Sequence, residues 1–106
     1  MSEISVSDKI EEYRKEQELY IEPSFNTISA YEANAAMMHY SANEKSNSKL
    51  YPRNLLLIDS GAQYLDGTTD ITRTFVLGEC SEEIKEHFTL VLKGMISLSK
   101  VKFLYG

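Results

Sequence analysis

The sequence holds a single cysteine, Cys80. One thiol cannot close an internal disulfide, so covalent cross-links do not hold the fold, and a reducing compartment fits. Cys80 itself reads as a bystander on a loop, with no His or Asn beside it in sequence. Long apolar runs are missing too: no stretch approaches the ~20 residues of a membrane span. The opening "MSEISVSDKIEEYRKEQ" lacks an apolar centre, so it is no signal peptide. Clustered Lys and Arg are also absent. The net charge is −5, and the charges mix in sign, as in "KIEEYRKEQE". Nucleic acid and anionic membrane both call for a basic surface, and neither is expected as a partner. There is no internal repeat and no low-complexity segment. The expectation is a soluble, cytoplasmic chain.

What is present is ordinary globular composition, 42% hydrophobic and 25% charged. The length of 106 residues suggests one small domain with a modest core. Residues 5–21 are expected to be helical, because Val6, Ile10, Tyr13 and Tyr20 recur at helical spacing. Ser5 or Ser7 is the expected cap, Pro23 the stop, and the charged residues a solvated face. Residues 24–41 are ambiguous: "FNTI" favours strand, whereas Ala, Glu and Met favour helix. Residues 42–54, rich in Ser and Asn, read as a polar loop. Leu55–Tyr64 and Thr69–Leu77 read as two strands joined by a turn at Asp66-Gly67. Residues 81–103 form the clearest helix. Ser81 caps it, Glu82 and Glu83 suit its positive end, and Ile84, Phe88, Val91, Leu92, Met95 and Leu98 make an apolar stripe read as core. His87, on this helix, reads as surface.

Two aspartates stand beside the most hydrophobic segment, in "LLLIDSGAQYLDGTTDITRTF". Alternation places Asp59 with Leu55, Leu57 and Gly61, and Asp70 with Thr72, Thr74 and Val76. Two close carboxylates repel unless one takes a proton or a cation binds both. A divalent metal is one resolution. A turn hydrogen bond for Asp59 and an ion pair between Asp70 and Arg73 are the other. The metal reading has a geometric condition. A two-residue turn at Asp66-Gly67 would set Asp59 opposite Thr74, leaving Asp70 four residues away, about 13 Å. It therefore requires a wider loop or a bulge near Gly67–Thr69.

This stretch resembles the metal-binding signature of aminopeptidase P, the Xaa-Pro aminopeptidases of the pita-bread metallopeptidases. "EISVSDKIEEYRKEQE", "SFNTIS", "MMHYSA" and "FTLVLKGMISLS" resemble further segments of that family, in the same order. The resemblance implies an α+β fold, a partial pita-bread with a β-hairpin covered by amphipathic helices. It implies that Asp59 and Asp70 are metal ligands, Asp70 bridging two ions, and that His39 is a catalytic residue that contacts substrate and assists proton transfer. The cofactor implied is a pair of divalent ions, Mn²⁺ first, with Zn²⁺ or Co²⁺ as other fits. The partner implied is a peptide with proline second, cut by an enzyme that is a homodimer when intact. The segment "AAMMHY" is expected to be extended, as in the family.

The family site takes one His and two Glu besides the aspartates, and these are expected beyond Gly106. Residues 1–106 would then be the first half of a metallopeptidase catalytic domain, inactive alone. Where many relatives carry glycines before the histidine, this chain has "EANAA". A prolidase-like dipeptidase, a non-catalytic pita-bread binding module and an inactive fragment are the competing readings.

Overall fold

The computed structural model describes residues 1–105. Helix α1 spans Glu3–Lys15, and Ser2 caps it. The Ser2 hydroxyl accepts from the Ser5 N–H at 3.3 Å, and the Ser5 hydroxyl accepts from the Ser2 N–H at 2.7 Å. Ser5 thus completes a capping box rather than forming the cap. The helix stops well short of residue 21. Leu19 takes a left-handed φ of 66°, and Tyr20–Pro23 is strand β1. Tyr20 was expected on the helical stripe. It packs edge-on against Tyr64 of the hairpin, ring centroids 6.0 Å apart.

Strand β2 is Ile28–Tyr31, so "FNTI" leads into a strand. A 3-10 helix follows at Glu32–Ala36, and residues 37–39 bend and turn. The expected extended "AAMMHY" is therefore corrected: Ala35 and Ala36 close the 3-10 helix, and His39 is left-handed, φ 55°. The polar segment 42–54 is irregular, with isolated bridges at Lys49 and Arg53.

The two expected strands are present but broken. Leu55–Ser60 is β3, Ala62–Tyr64 is β4, Gly67–Thr68 is β5 and Ile71–Val76 is β6. They make one long hairpin that passes from one sheet to another. One sheet has the order β1-β4-β5, the other β2-β3-β6. β1 and β2 each flank half of the hairpin and do not pair with each other. The register corrects the turn. Tyr64 pairs with Gly67 and Gln63 with Thr68, so Leu65-Asp66 occupies the turn. Asp59 pairs with Thr72, not Thr74. Both sides carry the same number of residues, so the interruption at Gly61 and Thr69–Asp70 is a kink across the ladder, not an inserted residue. Gly61 permits it. A Cβ there would overlap the Thr69 carbonyl oxygen and the Ser24 hydroxyl.

The two faces of the β2-β3-β6 sheet differ. On one, Tyr31 and Leu56 pack with Val6 of α1 as the buried core, joined by Ile10, Leu50, Ile58 and Leu77. The other carries Leu57 and Asp59, opposite Thr74 and Thr72. Helix α2, Glu82–Ser99, is capped by Ser81, whose hydroxyl accepts from the Ile84 N–H at 3.3 Å. The expected core stripe on α2 is corrected. Val91 is 73% exposed and Leu98 75%; of the whole helix only Ile84 is half-buried. An open cleft separates Phe88, Val91, Leu92 and Met95 from Thr72–Thr74, so α1 covers the hairpin and α2 stands away from it. The amphipathic pattern is correct, but the described residues offer that stripe no surface to bury against.

Candidate metal centre

Asp59 is the penultimate residue of β3, held between two neighbours. Ile28 of β2 lies opposite on one side, Thr72 of β6 on the other. Central placement in a three-stranded sheet fixes its backbone and half-buries its side chain. Its Oδ1 is buried and has no hydrogen-bond partner. A buried, unpartnered carboxylate oxygen is costly, and a proton, a water or a cation must answer it.

Asp70 sits at the kink. Ser60 pairs with Ile71, and the Thr69 N–H donates to the Ala62 carbonyl at 2.9 Å. Gly61 and Asp70 therefore face each other between these pairs. Thr72 is opposite Asp59, so Asp70 lies two residues before Asp59's partner, where the ladder bends. The expected four-residue gap of about 13 Å shrinks to two residues because the turn lies one residue earlier. Asp70 is exposed. It forms no ion pair with Arg73 among the described residues: the Arg73 guanidinium donates to the Thr72 carbonyl at 2.7 Å, and Arg73 alternates to the other face.

His39 reaches the same side of the sheet from a loop. It lines one cleft of about 260 Å³ with Asp59, Thr72, Met37 and Met38. His39 and Asp59 are thus brought together across the cleft, while Asp70 lies outside its walls. Among the described residues no three of His, Cys, Asp and Glu gather as a metal cage. The buried, unpartnered oxygen of Asp59 nevertheless suits a hard divalent cation, which takes carboxylate oxygen. His87 is exposed on α2, as expected, and half-buried Cys80 lies in the loop before α2.

One charged residue expected on a solvated helix face is half-buried instead, and an acid just before the expected helix is fully buried. Arg14 of α1 reaches the hairpin kink, donating to the Thr69 hydroxyl at 3.2 Å and the Ser60 hydroxyl at 3.0 Å. Glu3 is fully buried. Its Oε1 accepts from the Tyr31 N–H at 2.7 Å and Asn34 Nδ2 at 3.0 Å. Its Oε2 accepts from the Tyr40 hydroxyl and the Ser48 N–H, each at 2.8 Å. Burial pushes the Glu3 carboxyl up, but the hydrogen bonds from Ser48, Asn34, Tyr31 and Tyr40 together outweigh it and hold the carboxyl below its ordinary value. Nothing local marks Glu3 as buried. An acid in the first turn is the commonest solvent-facing choice, and its partners lie 28–45 positions away in sequence.

Residues 1–103 match metallopeptidase family M24, and the chain belongs to that family. Over all 106 residues it is 48% identical to the probable Xaa-Pro aminopeptidase P of Paracoccidioides brasiliensis (strain Pb03). It is 46% identical to the corresponding protein of Aspergillus flavus. The chain spans 17% and 16% of those two proteins. Among solved structures it is similar to the X-prolyl aminopeptidase of Caenorhabditis elegans, a cytosolic enzyme with a di-nuclear active site, with a TM-score of 0.90 and 45% identity over 99% of this chain and 18% of that one. Prolidase from Thermococcus sibiricus matches with a TM-score of 0.76 and 32% identity over 87% of this chain and 24% of that one. The architecture is a partial pita-bread fold of class α+β. Among the described residues no helix is long and apolar enough to cross a membrane.

Proposed function

We propose that residues 1–106 are the first half of the catalytic domain of a metal-dependent Xaa-Pro aminopeptidase. The observation that carries this reading is the unpartnered, buried Oδ1 of Asp59, with Asp70 two residues before its partner Thr72. Asp59 and Asp70 would hold two divalent ions, Mn²⁺ first and Zn²⁺ or Co²⁺ as other fits. Ions at such a centre supply Lewis-acid polarisation of a carbonyl and lower the pKa of water.

The remaining work falls to this chain's own residues. Asp59 contributes a carboxylate whose orientation is set by β3, so binding a cation requires little rearrangement. His39 faces the same cleft and serves as the substrate-contacting, proton-handling group. Met37 and Met38 form part of the cleft wall beside it. Further ligands, one His and two Glu, come from sequence outside these residues, and that sequence covers the bare stripe of α2. The substrate is a peptide with proline second, and the intact enzyme works in the cytoplasm as a homodimer. The named relatives support aminopeptidase P over a dipeptidase or a non-catalytic module.

A chimera tests this. Residues 1–105 replace the matching segment of the C. elegans enzyme, and the product is assayed with Mn²⁺ on Xaa-Pro tripeptides, Xaa-Ala tripeptides and Xaa-Pro dipeptides. Selective cleavage of Xaa-Pro tripeptides, lost about 10³-fold or more in Asp59→Asn, is expected. A folded chimera active only on dipeptides would instead support the prolidase reading.

A further inference from the structure

We propose that Glu3 is a positioning residue for His39, its buried carboxylate clamping both ends of the loop that carries the imidazole. The proposal rests on the reading of His39 as the group that meets substrate. Asn34, five residues before His39, and Tyr40, the residue after it, both donate to Glu3, at 3.0 and 2.8 Å. Between these anchors the chain leaves the 3-10 helix at Met37 and turns back at His39 with a φ of 55°. A non-glycine residue keeps that left-handed backbone only where its surroundings hold it there. His39 is itself exposed, so its own side chain gives the loop little grip.

The same carboxylate accepts from the N–H of Tyr31, the last residue of β2. It thereby ties the loop to the sheet bearing Asp59, because Ile28 of β2 is paired with Asp59. A third tie, to the Ser48 N–H, stops the 42–54 segment from drawing Tyr40 away. Tyr40 is buried and Asn34 half-buried, so these contacts compete poorly with water. Helix α1 thus fixes, through one side chain, where an exposed histidine stands over the opposite face of the sheet.

NMR relaxation on this chain tests it, with Tyr40→Phe and Glu3→Gln as variants. Tyr40→Phe keeps the ring and removes one tether; Glu3→Gln keeps the shape and removes the charge. In both, the backbone order parameters of Met38 and His39 are expected to fall from about 0.85 to below about 0.6, while those of Ile58 and Thr72 hold. Unchanged order at His39 in both variants would overturn the clamp. So would loosening spread equally through β2 and β3, because Glu3 would then hold the fold and not the loop. No metal is used, so failure of the metal reading and failure of the clamp give separate results.

Discussion

The Glu3 carboxylate has no exposed surface and four hydrogen-bond partners. Glu3→Ala leaves the N–H groups of Tyr31 and Ser48 without acceptors, at about 1–3 kcal/mol each. The expected loss is about 3 kcal/mol by urea denaturation. The pH dependence has a definite sign. The Glu3 carboxyl is depressed in the fold, so its stabilisation is complete above the unfolded carboxylate value and is lost as pH falls through the lower folded value. The stability gap between the native chain and Glu3→Gln should therefore narrow as pH drops from about 6 to about 3. At this scale the sequence was legible where chemistry is local. Asp59 and Asp70 stand out because strands seldom carry acids beside apolar runs. Glu3 and Arg14 do not stand out, because their partners are brought in only by tertiary structure.

Among the elements, the hairpin kink and the second helix make opposite demands on glycine. Gly61→Ala sets a methyl against the Thr69 carbonyl and the Ser24 hydroxyl, and a loss of about 3 kcal/mol is expected, since backbone cannot yield as a side chain can. Gly67 and Gly94 have open space. Gly67→Ala should change stability by less than about 0.5 kcal/mol, and Gly94→Ala should raise the helicity of α2, worth up to about 1 kcal/mol. Thermal melts and circular dichroism separate the three. Several elements could be read from the chain: α2 and its Ser81 cap, and both arms of the hairpin, whereas residues 24–41 stayed ambiguous between strand and helix. Element boundaries could not be read. Asp66-Gly67 is a strong turn dipeptide, yet pairing of Asp59 with Thr72 pulls the turn back to Leu65-Asp66. Tyr20 fits a helical stripe, yet stacking on Tyr64 recruits it to β1. In each case a long-range contact outweighed a local preference. The wider loop or bulge expected near Gly67–Thr69 is absent: the turn lies one residue earlier with equal arms, and the bend at Gly61, packed by Ser24 and Thr69, had no signal in the sequence.

Across the whole molecule the two sides are unequally finished. One is closed by α1 over Tyr31 and Leu56; the other leaves Phe88, Val91, Met95 and Leu98 of α2 in water beside the cleft face. A contiguous apolar stripe of this size drives association. The chain should self-associate in sedimentation, and Val91→Glu with Leu98→Glu should make it monomeric without changing the melt of the sheet. The same unequal finish leaves the candidate site open: the face that carries Asp59 is the face left uncovered. Titration calorimetry of this chain with Mn²⁺, alongside Asp59→Asn and Asp70→Asn, tests that account most directly. Weak uptake by the native chain, reduced about tenfold or more by each substitution, is the result it predicts; binding that neither substitution alters would contradict it.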